Sequence, residues 1–430
     1  MDPRVNAAAG SRADRYTRPT AIPGMKVLLA PHGTRGDVQP LVALAFGLRA
    51  RGHEPSFLAP DNFVAWIRSC GFPCEPNGVD VHAHLTSSGA DLGSWRWQRH
   101  HFRRVMIPAL FEAFARTRFD PDIIVGTGVQ LAAPSAAEQR EIPYATIAFC
   151  PCVVPNNLAP PATVRTQGYP RWINRLLWDV GTPLAAFALR GLLNDARARA
   201  GLGELDDVMS HLAGDATILA ADPDLAPLGD DAPATAVTTD ALVLDRAAAV
   251  DAKLDAFLDV GPPPIYVGFG SMVAKRADAL ASHAIDAARA LGRGVVLSEG
   301  WASLGQCVEV AHDVLIVGSV PHRSLFPRIG AVVHHGGAGT TTAAAAAGAP
   351  QVVLPHVLDQ FYWGHRVARL GLGPSPLPVD LVNADVLTER IDQALAEPIR
   401  GRAAAFAPVV ASRNGVDDAV DHLQRLVAVH

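Results

Sequence analysis

The sequence predicts an α/β protein with two parallel, doubly wound sheets, placed in two domains that face each other across a cleft. Apolar runs of strand length alternate with segments of helical spacing along most of the chain, and glycine-rich turns follow several of these runs. Strands that alternate with helices indicate parallel sheets covered on both faces. A length of 430 residues suits two or three domains.

In the first half, residues 37–51 and 62–70 have helical spacing, and apolar runs predict strands. These predicted strands are residues 25–30, 55–59, 122–125, 144–149 and 216–220. Residues 151–201 interrupt the alternation, because they begin rich in proline and then have helical spacing from 172 to 199. Such excursions from an α/β core often build substrate pockets.

The second half repeats the alternation, with predicted strands at residues 264–269, 294–298, 314–317, 331–334 and 351–354. Residues 223–240 are weakly patterned, which suggests an interdomain connection. We therefore predict five segments. They are a disordered tail (1–24), an N-terminal acceptor domain (25–228), a linker (229–245), a C-terminal nucleotide domain (246–401) and a helical end (402–430) that completes the second domain or packs back on the first.

The composition excludes several classes of protein. The net charge of −5 lacks the basic excess of a nucleic-acid binder. An odd count of five cysteines argues against a disulfide framework. We find no apolar stretch of roughly 18 residues and no apolar core of a signal peptide, so we expect a cytoplasmic protein without stable membrane insertion.

The most informative motif is the run HHGGAGTT at residues 334–341, which follows a predicted strand and precedes an alanine-rich helix. Strand, glycine turn and helix together place free backbone N–H groups and a helix N-terminus beside an anion. We interpret the run as a diphosphate cradle. The alternative is a tight turn with core histidines.

A second glycine turn, PHGTRGDVQP at residues 31–40, ends the first strand. It lacks the G-x-G-x-x-G spacing, so the dinucleotide-binding fingerprint fails. Asp37 opens the next helix, where it either caps the helix or directs a carboxylate into the cleft as a general base.

Further polar turns follow strands of the second sheet, at residues 268–271 and 318–322, and they converge where a nucleotide would lie. After the last of these strands, Asp359 and Gln360 place an acid beside an amide. The pair can bind vicinal hydroxyls of a sugar, or it can cap a helix.

These motifs together resemble the family 1 glycosyltransferases of the GT-B fold, in particular the bacterial branch that glycosylates antibiotics and the sterol glucosyltransferases. Residues 33–40, 334–341 and 359–360 are the basis of the resemblance, which extends from residue 25 to the C-terminus. It implies two Rossmann-like domains. The segment 81–203 matches little beyond the general pattern, as expected of an acceptor pocket.

The resemblance also implies roles for individual residues. Asp37 matches the general base, and His32, which precedes it in the turn, shares or takes that role in the alternative assignment. Donor diphosphate contacts are implied for His335, Gly337, Ala338, Gly339, Thr340, Ser271 and Thr34. Val320 and His322 correspond to the contacts of the nucleotide base, and Asp359 and Gln360 to those of the donor sugar.

The expected reaction is transfer of a hexose from a UDP- or TDP-sugar to a hydroxyl of a small hydrophobic aglycone, and glucose is the favoured hexose. A single base predicts inversion, and we expect no metal or other cofactor, because no Asp-x-Asp motif lies at these strand ends. The protein would act as a monomer or homodimer. Two alternatives stay open: a sugar-nucleotide epimerase of the same architecture, and a non-catalytic helper of another transferase.

Overall fold

The computed structural model describes residues 24–87, 100–244, 251–270, 277–300, 311–318 and 320–430. Within these residues the strands form a seven-stranded and a five-stranded sheet, and every strand pairing is parallel. The predicted fold class, two parallel-sheet α/β domains, is confirmed. The predicted N-terminal tail up to residue 23 and the candidate phosphate ligand Ser271 lie outside the described residues.

The N-terminal sheet has the strand order β3-β2-β1-β4-β5-β6-β7. Its strands are β1 (Lys26–His32), β2 (Glu54–Ala59), β3 (Cys74–Pro76), β4 (Ile123–Gly128), β5 (Tyr144–Ala148), β6 (Ala216–Ala220) and β7 (Ala236–Thr239). The order reverses between β1 and β4, so the loops that follow these two strands leave in opposite directions and open a crevice between them.

Helices cover this sheet on both faces. They are α1 (Arg35–Ala50), α2 (Asp61–Ser69), α3 (Val81–Ser87), α4 (Ile107–Arg116), α5 (Ala133–Arg140), α6 (Arg171–Arg199) and α7 (Val208–Ala213), with a π-helical turn at Phe102–Met106 and a 3₁₀ turn at Pro151–Val153. In α1, Leu41, Leu44 and Leu48 are fully buried, as their helical spacing predicts.

The C-terminal sheet has the order β10-β9-β8-β11-β12, which reverses between β8 and β11. Its strands are β8 (Ile265–Gly268), β9 (Val295–Ser298), β10 (Val314–Val317), β11 (Ala331–His334) and β12 (Gln351–Val353). The helices that follow are α8 (Ala252–Leu258), α9 (Ala277–Ala290), α10 (His322–Leu325), α11 (Ala338–Ala346), α12 (Gln360–Arg369), α13 (Ala384–Leu395), α14 (Glu397–Ala411) and α15 (Val416–Val429), with 3₁₀ turns at Phe326–Arg328 and Val379–Leu381.

An apolar cluster joins the two domains beside the cleft. Buried side chains from the end of β5 and from β6 pack with residues of α12 and α14, including Trp363 and Phe406. Arg366 of α12 also donates from Nε to the carbonyl oxygen of Leu225 at 2.6 Å. The two domains therefore pack tightly against each other on one side of the site.

The last helix, α15, packs on α1 of the N-terminal domain. Val420 and Leu423 are buried within the core of that domain, and Arg51 pairs with Asp421 at 2.6 Å. A Cβ at Gly47 would lie 2.2 Å from the Val416 side chain, so the absence of a side chain in α1 permits this close approach.

Two features differ from the sequence predictions. Strand β7 lies inside the predicted linker 229–245; it has only four residues at a sheet edge, so it lacks a continuous apolar run. The second is α6, which is long and apolar enough to cross a membrane by length and composition, although no apolar stretch of this length was expected. Only 17% of its most apolar stretch is buried.

Candidate active site

The candidate site lies between the carboxyl ends of the two sheets, at the point where each strand order reverses. Two electrostatic contacts show that the domain faces approach each other there. The charge of Asp37 helps to raise the pKa of Asp359 in the other domain, and the charge of Arg35 helps to lower the pKa of His322. The loops after β1, β11 and β12 therefore share one cleft, as ligand sites at switch points do.

Asp37 occupies the third position of α1 and is not its N-cap. Thr34 is the N-cap, and the two residues form a capping box in which Asp37 Oδ2 accepts the Thr34 N–H at 2.7 Å. Burial raises the pKa of Asp37 to about 6, although the hydrogen bonds from Thr34 oppose the shift. The cap thus fixes one carboxylate oxygen, and the carboxyl group titrates close to neutral pH, as a general base requires.

The other oxygen of Asp37 lies beside the end of β4. A Cβ at Gly128 would meet Asp37 Oδ1 at 3.0 Å and the His32 carbonyl oxygen at 2.1 Å, and Gly128 has a φ of 68°. Only glycine suits this position, on grounds of both space and backbone conformation. The neighbouring strand end therefore packs directly against the carboxylate.

His32, the alternative base, is buried at the end of β1 and is oriented by Asn77. Asn77 Oδ1 accepts the Val79 N–H at 3.1 Å, which leaves Asn77 Nδ2 facing His32 Nδ1 at 3.3 Å. Because that amide nitrogen donates, His32 Nδ1 accepts, and the neutral ring has its hydrogen on Nε2. Burial, followed by the charges of His101 and His84, lowers the pKa of His32 to about 4.

Asn77, His84 and His101 were not predicted as part of the site. The rings of His84 and His101 stack with centroids 3.5 Å apart, close enough to His32 to affect its pKa. These residues come from separate stretches of chain between β3 and α4, so only the fold brings them together. The sequence signal was weak: His82 and His84 are two residues apart, a spacing that surface histidines often show.

The HHGGAGTT run forms the turn from β11 into α11, as predicted. Gly337 is the N-cap of α11, and Ala338, Gly339 and Thr340 form the first helical turn, whose N–H groups have no partner within the helix. A Cβ at Gly337 would lie 2.5 Å from His335 Nε2, so the His335 ring lies directly over the glycine. The imidazole therefore stands beside the positive end of the helix dipole.

His335 is uncharged at neutral pH, because burial and the nearby histidines 334, 356 and 322 lower its pKa to about 3. Its Nδ1 atom is buried and has no hydrogen-bond partner among the residues that the structure describes. A buried nitrogen of this kind costs free energy unless a ligand or water satisfies it. This geometry suits an anion that accepts hydrogen bonds from the imidazole and from the start of α11.

His334 is the core histidine of the turn. It is fully buried, its Nδ1 accepts the Gly336 N–H at 3.1 Å, and its Nε2 lies 3.0 Å from Gln351 Oε1 of the neighbouring strand. The second alternative drawn from the sequence, a turn with core histidines, therefore applies to His334, and His335 stays the candidate for the diphosphate contact. Thr341 is also structural, because its hydroxyl donates to the Gly337 carbonyl oxygen at 2.9 Å.

Val320 and His322 lie after β10, at the start of α10. The His322 ring stacks on Phe326 with centroids 4.4 Å apart, and its Nε2 lies 3.3 Å from the Tyr266 hydroxyl. Burial lowers the pKa of His322 to about 4 and raises that of Tyr266 to about 12. Tyr266 and Phe326 are buried in the core beneath the His322 ring, and of the residues in this turn Val320 and His322 are partly exposed.

Asp359 and Gln360 begin α12. Asp359 is the N-cap residue but makes no side-chain capping bond, and burial, followed by the charge of Asp37, raises its pKa to about 6. Gln360 Oε1 accepts the N–H groups of His356 and Val357 at 2.8 and 3.1 Å. Gln360 therefore holds the loop that precedes α12, the expected capping bond of Asp359 is not formed, and Asp359 lies close enough to Asp37 of the other domain for their charges to interact.

Among the described residues, no group of three or more His, Cys, Asp or Glu side chains is placed to share a metal ion.

Comparison with known proteins identifies the family. Residues 27–154 match the glycosyltransferase family 28 N-terminal domain, and residues 282–425 match the erythromycin biosynthesis protein CIII-like C-terminal domain. Glycosyltransferase GtfE of Amycolatopsis orientalis is 38% identical over 394 residues, which span 90% of this chain and 94% of that protein. The chain belongs to the vancomycin-type family of GT-B glycosyltransferases. Vancomycin aglycone glucosyltransferase of the same organism is also 38% identical, over 397 residues and the same shares of both chains.

More distant relatives agree with this assignment. Sterol 3-beta-glucosyltransferase UGT80B1 of Arabidopsis thaliana is 27% identical over 94% of this glycosyltransferase and 68% of that protein. The solved structure of the glycotransferase of kitacinnamycin superposes with a TM-score of 0.71 over 94% of this chain and 99% of that chain. At 18% identity, it shows the shared fold. The protein is thus a glycosyltransferase, and the epimerase and helper alternatives are not favoured.

Proposed function

We propose that this glycosyltransferase moves glucose from UDP- or TDP-glucose to a hydroxyl of a small hydrophobic aglycone, in the cytoplasm, with inversion and without a metal or other cofactor. The observation that supports this best is the position of Asp37. Its carboxylate has a raised pKa, is fixed by the capping box and faces, across the cleft, the domain that contains His335 and Asp359.

In the proposed reaction, Asp37 takes the proton of the acceptor hydroxyl. The acceptor oxygen attacks the anomeric carbon from the side opposite the diphosphate, the bond from that carbon to the phosphate oxygen breaks, and the nucleoside diphosphate leaves. Negative charge grows on the leaving oxygens, where the His335 ring and the N–H groups at the start of α11 stabilise it. One displacement at the anomeric carbon inverts its configuration.

Asp37 is the better candidate for the base because of the tautomer of His32. The contact with Asn77 leaves the hydrogen of neutral His32 on Nε2, so that nitrogen donates and cannot accept the acceptor proton. Asp37 instead retains Oδ1 after its Oδ2 has been used by the cap. We assign His32 and its Asn77 contact to the wall of the acceptor pocket.

The donor follows from the site and the relatives together. Asp359 provides a carboxylate for sugar hydroxyls, and the partly exposed Val320 and His322, the latter packed on the buried Tyr266 and Phe326, offer a neutral surface to a pyrimidine of either kind. One relative is named a vancomycin aglycone glucosyltransferase, and another, a dTDP-epi-vancosaminyltransferase, is 34% identical. We favour glucose, and leave UDP and TDP as the two donors to compare.

The test incubates the purified protein with UDP-glucose or TDP-glucose and with phenolic, macrolide, glycopeptide and sterol acceptors, with and without EDTA. We expect a hexose mass gain by mass spectrometry, a β-linkage by NMR from the α-linked donor, and no effect of EDTA. An α-linked product would contradict inversion, and activity lost with EDTA and restored by Mg²⁺ would contradict the metal-free mechanism. Failure to bind either nucleotide would overturn the proposal.

A further inference from the structure

The long helix α6 presents an apolar face to solvent. Trp172, Leu176, Val180, Leu184 and Phe187 are all exposed, Trp172 at 68% and Phe187 at 85%. The opposite side of the same helix is buried through Trp178, Leu192, Leu193 and Ala196. The helix therefore has two apolar faces, and only one of them is covered by other residues that the structure describes.

The exposed residues form a ridge. Trp172, Leu176, Val180 and Leu184 follow one another at intervals of four, and Phe187 comes three residues later. Side chains at intervals of four make the row that fits between the rows of a second helix in the commonest helix–helix packing. The ridge spans about 22 Å of helix at 1.5 Å per residue.

The area suits a protein partner. If a large apolar or aromatic side chain offers about 200 Å², the exposed fractions of these five sum to roughly 600 Å². That is as large as the largest patch on a typical monomer. It provides most of the roughly 800 Å² that each partner buries in a standard interface.

The charges beside the ridge favour a protein partner over a membrane surface. Arg175 pairs with Asp179 and Asp231 near one end, and Arg190 pairs with Asp206 near the other. Both ends thus carry both signs of charge, already paired. A helix that lies on a membrane has instead an excess of basic residues on its polar face, and the chain as a whole has a net charge of −5.

We infer that the ridge of α6 binds the same ridge of a second copy of this chain, across a two-fold axis. An antiparallel pair centred on the small side chain of Val180 places Leu176 against the Leu184 position of the second copy, and Trp172 against its Phe187 position. Each mixed-charge end then meets the opposite end, and the two copies of Asp179 that flank the axis each stay paired with Arg175 of their own chain. A two-fold contact of one surface with itself is the commonest form of oligomer.

The first test measures the mass of the full chain by analytical ultracentrifugation at about 50 µM, well above the micromolar dissociation constants of weak interfaces of this size. We expect a dimer for the wild type and a monomer for Leu184→Glu. Leu381→Glu is the matched control, because Leu381 is exposed to 63% and Leu184 to 64%, yet Leu381 lies outside the ridge. Circular dichroism should show that both variants are folded. A monomeric wild type would overturn the inference, as would a Leu184→Glu variant that still dimerises.

A second test locates the axis. Under mild oxidation, Val180→Cys should cross-link into a covalent dimer, because equivalent positions meet only on a two-fold axis. Val429→Cys, at a valine exposed to 83% on α15, and the wild type with its own cysteines are the controls. Equal cross-linking of all three would contradict the proposed axis. Flotation of a monomeric chain with neutral phosphatidylcholine vesicles, lost in Leu184→Glu, would overturn the inference in favour of a lipid partner.

Discussion

Replacing Asp37 by Asn removes the proposed base and leaves its surroundings intact. The amide oxygen of Asn can still accept the Thr34 N–H, so the capping box and the start of α1 should survive. General-base catalysis contributes about 10² to 10⁴ in rate, so we expect kcat/KM to fall by that factor, or about 3 to 5 kcal/mol. The affinity for the nucleotide should change little, since Asp37 lies in the other domain.

The pH profile gives a second, independent magnitude. A base with a pKa of about 6 is about 90% ionised at pH 7 and about 10% ionised at pH 5, so the wild-type rate should fall about tenfold over that interval. Asp359 titrates in the same range and its charge interacts with that of Asp37, so the acidic limb of the pH–rate profile reports the titration of the pair. In Asp37→Asn the limb should vanish, and the pKa of Asp359 should fall because a neighbouring negative charge is gone.

The assay measures kcat/KM from pH 5 to 8 by nucleoside diphosphate release for the wild type, Asp37→Asn and His32→Gln. His32→Gln is the informative comparison, because Gln can still accept from Asn77 and has no imidazole. We expect it to keep most of the activity. If Asp37→Asn kept more than about a tenth of the activity while His32→Gln lost it, the general base would be His32 and the tautomer argument would be wrong.

Three further outcomes are expected. Gly337→Ala should displace the His335 ring and weaken UDP binding by about tenfold in calorimetry, whereas Gly191→Ala in α6, where a Cβ meets nothing within 4 Å, should not; equal effects would contradict the contact. Leu423→Ala should lower the free energy of unfolding by about 2 to 5 kcal/mol in urea, against a negligible change for Val429→Ala. Stability should fall from pH 6.5 to pH 4.5 by roughly 2 kcal/mol per unit, as followed by urea unfolding. The reason is that the unfolded chain binds protons at histidines whose pKa is lowered by burial in the folded protein; these are His32, His322, His334 and His335. The raised pKa values of the Asp37 and Asp359 carboxyl groups offset only part of this loss of stability. A stability that did not change with pH would be evidence against these pKa shifts.

The parallel sheets were predictable because each buried strand is a short apolar run between helical segments. β11 and β12 illustrate this, since both are fully buried and both end in polar turns. β7 escaped the prediction because an edge strand of four half-buried residues has no such run. The prediction of helix 37–51 began two residues late, because the capping residue is Thr34 and not Asp37.

The same division applies to the site. Residues placed by a strand end, such as Asp37, His335 and Asp359, could be found because carboxyl ends of parallel strands meet at one edge. The division of labour between His334 and His335 could not, since it depends on which ring contacts Gln351 across the sheet. Asn77 could not be predicted either, because it contacts His32, which is 45 positions away in the sequence.

The placement of α15 has a consequence for how this chain is made. Val420 and Leu423 belong to the first domain's core, although they are synthesised after the whole of the second domain's sheet. The surface of α1 around Gly47 thus stays uncovered during synthesis while the entire second domain emerges and folds. The contact between α1 and α15 also limits the exchange of acceptor domains between relatives. A chimera joined only at the middle of the chain would combine α1 of one protein with α15 of another.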